Sequence, residues 1–196
     1  MQHLLYLPVH VLVLGLLPLS IPLSLLLMAC NAVPDESPDA ALPPAPDAAT
    51  FGQGGEPRSA LIVNELVAAP TTGADWFELA NRSADDLDLS GAYVTDAPDR
   101  LDHFYRFPPG TTLAAGAYLV VHADNGATTT GDGHHAPFRL GEADGLYLLA
   151  ADGLVTDGLT YLAPTNGTAL ARLPDREGLF FAAAPTPGAP NPAVQP

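Results

Sequence analysis

From Leu61 onward, short apolar runs alternate with Gly, Pro, Asp and Asn about every eight to twelve residues. This spacing is typical of an all-β sandwich or barrel, and no window shows sustained helical periodicity. The Asp152-Gly153 pair between two alternating runs predicts a hairpin turn. The predicted strands are LIVNELVA (61–68), DWFELAN (75–81), AYVTD (92–96), HFYRF (103–107), AYLVVHA (117–123), FRL (138–140), LYLLAA (146–151), LVTDGLTY (154–161) and ALARL (169–173).

The first two predicted strands each carry one glutamate, Glu65 and Glu78, among apolar residues. Strict alternation puts Glu65 on the face of Val63, and Glu78 on the face of Trp76. A carboxylate in such surroundings needs hydrogen-bond donors or an arginine. The pair is also the best catalytic candidate of the chain, because glycoside hydrolysis uses two carboxylates at a set separation. Catalysis requires that the two side chains share a face and lie in register.

The order of several motifs resembles the lamin tail domain, an immunoglobulin-like β-sandwich. The resemblance covers about residues 60–191, and each motif is weak when taken alone. The matching segments are IVNEL (62–66), DWFELAN (75–81), LDLSGAYVTD (87–96), FPPGTTLAAGAYLVV (107–121), LYLL (146–149), Asp152-Gly153 with Asp157, Arg172 with Pro174-Asp175, and PTPGAPN (185–191).

The resemblance implies an immunoglobulin-like antiparallel β-sandwich over residues 60–191. It also implies that Glu65 and Glu78 accept hydrogen bonds from backbone amides or from an arginine such as Arg172, fixing the first hairpin. Losing such an acceptor is expected to cost about 1 to 3 kcal/mol. The residues to which the resemblance gives a structural role are Asn64, Glu65, Trp76, Glu78, Asn81, Gly91, Asp96, Gly116, Asp157 and Arg172.

The amino-terminal segment predicts export. Residues 4–29 form an uncharged apolar run that contains three prolines and ends in Leu27-Met28-Ala29-Cys30. Proline disfavours a spanning helix, so residues 1–29 are interpreted as a signal peptide. The last four residues resemble a bacterial lipobox, which implies lipidation of Cys30. The alternative is an uncleaved anchor with an unmodified Cys30.

Residues 30–59 are rich in Pro, Ala and Asp, and they bury too little to fold, so we expect a disordered linker. Residues 192–196 are expected to form a disordered tail. The chain carries 22 acidic and 7 basic residues, a formal net charge of −15. Such a charge disfavours nucleic acid as a partner. We expect the protein in the cell envelope, with the outer membrane slightly favoured by Asn31 after the cysteine.

No nucleophile elbow, phosphate-binding loop, zinc-protease motif or second cysteine is present in the sequence. We therefore expect no enzyme and no cofactor. The loop at 123–137 is polar and long, and such loops are functional or disordered. We expect no metal there, since the spacing matches no established zinc or calcium loop; the weak candidate ligands are His122, Asp124, Asp132, His134 and His135. His103 is interpreted as a strand-surface residue.

Two functional classes follow from these observations. The first is a membrane-tethered, non-catalytic binding or structural module of the bacterial envelope, which holds a protein or glycan through sandwich loops or an exposed strand edge. The second is a small envelope hydrolase or metal-binding protein that uses Glu65 and Glu78 or the loop at 122–135. The absence of catalytic motifs favours the first class.

Overall fold

The computed structural model describes residues 59–126 and 133–193. Twelve strands and one short 3-10 helix, Leu101–His103, follow each other in this part of the chain. The strands are β1 Leu61–Val67, β2 Asp75–Asn81, β3 Leu87–Asp88, β4 Tyr93–Thr95, β5 Tyr105–Arg106, β6 Thr112–Leu113, β7 Tyr118–Ala123, β8 His134–Ala136, β9 Ala143–Leu149, β10 Val155–Leu162, β11 Ala169–Leu173 and β12 Leu179–Ala183.

Two sheets pack against each other. The larger has the order β12-β11-β1-β2-β7-β8, and the smaller has the order β10-β9-β4-β5, while β3 and β6 form a separate pair. All strand pairs are antiparallel except β7 with β8, which is parallel. Phe77 and Leu79 from the larger sheet share one buried cluster with Val94, Leu146 and Leu148 from the smaller sheet. The predicted all-β sandwich is therefore confirmed.

The observed strands differ from the predicted ones in several details. The FRL segment at 138–140 is a loop with Phe138 and Leu140 buried and Arg139 exposed. Phe138 stacks on Phe77 with ring centroids 6.2 Å apart and so anchors the loop without a strand partner. His103 ends the 3-10 helix rather than lying on a strand, and its Nδ1 is 2.6 Å from Asp96 Oδ1. The prediction missed the short strands β3, β6 and β8, of which β8 lies in the segment interpreted as the loop at 123–137. It also missed β12, whose apolar residues it left in a connecting segment.

The predicted signal peptide, Cys30 and the linker up to residue 58 lie outside the described residues. Within the described part of the chain, no helix is long and apolar enough to cross a membrane.

Candidate functional site

Glu65 and Glu78 lie directly opposite each other on β1 and β2, and both side chains are completely buried. The register between the two strands shifts between Val63 and Glu65, so that Val63 pairs with Leu79 and Glu65 pairs with Glu78. Such a bulge moves the residues after it to the opposite face. The predicted common face of Val63 and Glu65 is therefore wrong: Val63 enters the core cluster, whereas Glu65 shares the outer face of the larger sheet with Glu78.

Both carboxylates hold residues 184–191, which we name the C-terminal strap. The Thr186 backbone N–H donates to Glu65 Oε1 at 3.0 Å, and its hydroxyl donates to Oε2 at 3.3 Å. The Gly188 N–H donates to Glu78 Oε2 at 2.6 Å, and Asn64 Nδ2 donates to Oε1 at 3.2 Å. The glutamates do accept backbone amides, but these amides belong to the strap, so the pair fastens the end of the domain to the first hairpin.

Asn191 fixes the far end of the strap. Its side-chain amide donates to the carbonyl oxygens of Asn64 and Arg172, each at 3.1 Å. Its backbone N–H donates to Asp175 Oδ1 at 3.0 Å, and the same oxygen accepts from Asn64 Nδ2. We did not predict roles for Asn191 and Asp175. The prolines around Asn191 correctly indicated irregular backbone, and an irregular segment needs side-chain hydrogen bonds to be held in place.

Burial raises the pKa of Glu65 to about 7 and that of Glu78 to about 7, from 4.5 in each case. The backbone hydrogen bonds from the strap oppose this shift in part by stabilising the charged forms. Glu78 adds to the rise of the Glu65 pKa by charge repulsion, and Asp175 adds to that of both groups. The two carboxylates therefore titrate near neutral pH. The strap covers both carboxylates and donates backbone hydrogen bonds to them.

The Arg172 side chain contacts backbone carbonyls and Asp157 in the protein interior, on the side of the sheet away from the glutamates. Its Nε donates to Val63 O at 2.7 Å, its Nη1 to Gly178 O at 3.0 Å, and its Nη2 lies 3.3 Å from Asp157 Oδ2. Ala171 pairs with Glu65 across β11 and β1, so the next residue, Arg172, projects from the opposite face. The suggested pairing of Arg172 with the glutamates is therefore wrong.

Asn81 closes the other end of β2. Its side-chain amide donates to Leu113 O at 3.0 Å and to Ala114 O at 3.1 Å, and its Oδ1 accepts from Ser83 N at 2.9 Å. A single buried side chain thus satisfies backbone groups at the end of β6 and in the segments that follow β2 and β6. This explains why a polar residue can end an apolar strand.

The remaining residues with an implied structural role are Gly91, Gly116, Trp76 and Asp96. Gly91 and Gly116 adopt φ of +78° and +66°, which side chains rarely tolerate. A Cβ on Gly116 would also lie 3.2 Å from Arg176 Nη1. Trp76 is half-buried in β2 and is the register partner of His122 on β7. Asp96 accepts the hydrogen bond of His103 described above.

The structure separates the histidines of the 122–135 region into two groups. His122 and His135 are register partners on β7 and β8, and Asp124 Oδ2 is 2.8 Å from His135 Nδ1. The His134 ring is instead hydrogen-bonded to Tyr105, and its Nδ1 lies 2.7 Å from the Tyr105 hydroxyl. Burial, followed by the charge of His135, lowers the pKa of His134. Asp132, the fifth weak candidate ligand, lies outside the described residues.

Strand β12 forms one edge of the larger sheet and pairs only with β11 within the described residues. Its sequence, LFFAA, contains no charge and no proline. The inner Phe180 is anchored under Arg172, whose guanidinium carbon lies 4.4 Å from the ring centroid. On the outer side, Leu179 is 43% exposed and Phe181 is 50% exposed. This edge therefore presents both unpaired backbone groups and apolar side chains to solvent.

The family model described as Lamin Tail Domain matches residues 55–163, which is more than half of the chain. The chain belongs to the lamin tail domain family. No curated protein matches it. The family fold is immunoglobulin-like, which agrees with the sandwich described above. The match ends before β11, yet β11 pairs with β1, so the fold of this lamin tail domain continues beyond the matched residues.

Membership in this family indicates a non-catalytic binding or structural module, and immunoglobulin-like domains of this family are generally not enzymes. The geometry agrees with this assignment, because the two carboxylates that resembled a catalytic pair are completely buried and hydrogen-bonded to the strap.

Proposed function

We propose that this lamin tail domain is a membrane-tethered, non-catalytic binding module of the bacterial cell envelope, and that it binds a protein partner by strand addition to β12. The observation that supports this proposal most directly is the uncharged edge of β12, with Leu179 and Phe181 in solvent. Soluble proteins usually protect exposed edges with charges, prolines or bulges. An edge without these devices is suited to accept a strand from a partner.

The chemistry of β12 also defines the partner. Backbone hydrogen bonds would provide most of the recognition, which favours an extended peptide over a glycan. Alternate apolar residues of the added strand would pack beside Phe181. Since the chain carries a net charge of −15 and no lysine, we expect basic residues on either side of the partner's apolar segment.

Replacement of Phe181 by lysine is expected to abolish partner binding. A lysine on the edge keeps its charge in solvent and disfavours a neighbouring strand. The measurement is capture of partners from detergent-solubilised membranes of the source organism on the immobilised chain. We expect Phe181→Lys to recover about tenfold less partner protein than the unchanged chain, or less still.

Leu154→Lys is the matched control, because Leu154 is 66% exposed and lies outside β12. It adds the same charge and is expected to leave recovery unchanged. Circular dichroism checks that both variants fold. Equal recovery with Phe181→Lys, or no reproducible partner with the unchanged chain, would contradict strand addition at β12.

The tether is proposed to be a lipid on Cys30. The apolar run at 4–29 and the Leu27-Met28-Ala29-Cys30 sequence support it, and Asn31 after the cysteine favours the outer membrane. Several acyl chains hold a protein firmly at about 0.8 kcal/mol per buried methylene. The linker that follows is long enough to hold the domain away from the lipid surface.

Mass spectrometry of the membrane fraction tests the tether. We expect a mature chain that begins at Cys30 and carries acyl groups, whereas Cys30→Ser is expected to remain unprocessed and without acyl groups. A mature chain that begins at another residue, or an unmodified Cys30, would show that the lipid tether is wrong. This outcome is independent of partner capture at β12.

A further inference from the structure

His122 and His135 place two imidazole rings side by side on neighbouring strands. The residues are register partners on the parallel strands β7 and β8, and their ring centroids lie 5.2 Å apart. Two imidazoles bound to one tetrahedral ion, each with a metal–nitrogen distance of about 2.0 to 2.1 Å, would have centroids about 5 Å apart. The ring planes are inclined by only 22° and the rings stack, so the centroid spacing, but not the ring orientation, matches two ligands of one metal ion. A rotation of the His122 ring about its Cβ–Cγ bond, a torsion with a broad preference, would turn its nitrogen toward an ion bound to His135.

Asp124 determines which ring nitrogen of His135 carries the proton. Its Oδ2 lies 2.8 Å from His135 Nδ1, and a carboxylate can only accept, so Nδ1 carries the proton and Nε2 carries the lone pair. A carboxylate that orients a histidine in this way is typical of metal ligands. Gly133 leaves space beside the same nitrogen, because a Cβ on this residue would be in van der Waals contact with Nε2 at 3.6 Å and glycine has none.

We propose that His122 and His135 bind a divalent transition-metal ion that prefers imidazole, Cu²⁺ or Zn²⁺, with Asp124 as the residue that positions His135. No group of three or more His, Cys, Asp or Glu side chains converges on a metal position within residues 59–126 and 133–193. Among the described residues the two histidines supply two nitrogens, and the remaining positions of the ion are open to water. Two neutral nitrogens favour Cu²⁺ over Zn²⁺. Nitrogen ligands do not suit Ca²⁺, which prefers oxygen.

Titration calorimetry with Zn²⁺ and with Cu²⁺ tests the site on the full chain. His3 and His10 are replaced by alanine throughout, so that the amino-terminal segment contributes no imidazole. We expect one saturable ion per chain with micromolar affinity, tighter for Cu²⁺. His122→Ala and His135→Ala are each expected to weaken binding by at least about tenfold. Asp124→Asn is expected to weaken it by about 10- to 100-fold.

His103→Ala is the matched control. His103 also pairs with an aspartate through Nδ1, but the described residues place no second imidazole ring against it. This variant is expected to bind metal like the unchanged chain. Electron paramagnetic resonance of the Cu²⁺ complex should report two imidazole nitrogens in the unchanged chain and one in His122→Ala. Absence of saturable binding, or equal binding by His122→Ala and His135→Ala, would overturn the proposal without affecting strand addition at β12.

Discussion

Replacing Arg172 with alanine is expected to lower the free energy of unfolding by about 3 to 5 kcal/mol. The guanidinium is completely buried, donates to two carbonyl oxygens, and pairs with the buried Asp157. Its removal leaves Asp157 as a buried charge without its cation, and burial already raises the pKa of that carboxyl above its usual value. Urea denaturation of the full chain, followed by circular dichroism, measures the loss.

Arg100→Ala is the control for Arg172→Ala. Arg100 pairs with Asp102 at 2.8 Å, but their side chains are 54% and 71% exposed. An exposed pair contributes at most about 1 kcal/mol, so this variant is expected to unfold almost like the unchanged chain. Arg172→Met combined with Asp157→Leu should recover part of the loss, because no unpaired charge remains. A loss below about 1 kcal/mol for Arg172→Ala would contradict the role of the buried ion pair.

The domain is expected to be more stable at pH 5 than at pH 8 because of Glu65 and Glu78. Each has a pKa of 4.5 in the unfolded chain and about 7 in the fold. Between these values the folded state binds more protons, so its stability falls as pH rises. The stabilisation by protonation is complete below pH 4.5 and is lost as pH passes 7. At 1.36 kcal/mol per pKa unit, the rise from 4.5 to about 7 corresponds to on the order of 3 kcal/mol for each glutamate.

Denaturation with urea at a series of pH values measures this dependence. In the double variant Glu65→Gln, Glu78→Gln the amide oxygens can still accept from Thr186 and Gly188, but nothing titrates at these positions. We expect the difference in stability between the double variant and the unchanged chain to vary across pH 5 to 8. Asp102→Asn, at an exposed position, should keep the pH dependence of the unchanged chain. A constant difference for the double variant would mean that neither glutamate titrates near neutral pH.

Several features of the fold were predictable because they depend on local sequence. Short apolar runs between turn residues predicted the long strands of both sheets, and their lengths allowed no alternative element. The same rules failed at FRL (138–140), where Phe138 is buried by contacts with residues distant in sequence. They also failed at β12, since an LFFAA segment that follows a charged turn has no alternation to mark it as a strand.

The candidate sites were predictable only as residue types. The sequence indicated that Glu65 and Glu78 need donors, but it could not identify them, because Thr186 and Gly188 lie more than a hundred positions away along the chain. It suggested the wrong acceptors for Arg172, since a single register shift in β1 decides which side chains face the core. The five weak candidate ligands likewise formed one set in the sequence, whereas the strands separate His134 from His122 and His135.

The sequence by itself determined the class of the fold and the presence of acids that must be hydrogen-bonded, since periodicity, turn chemistry and the cost of burying charge are local properties of the chain. The order of its motifs indicated the family. Only the tertiary structure decided which groups meet. The bulge in β1 turns Glu65 away from the core toward Glu78, the strap covers both carboxylates, and the parallel pairing of β7 with β8 brings two imidazoles together. These contacts join residues through strand register, which is set by packing across the whole sandwich.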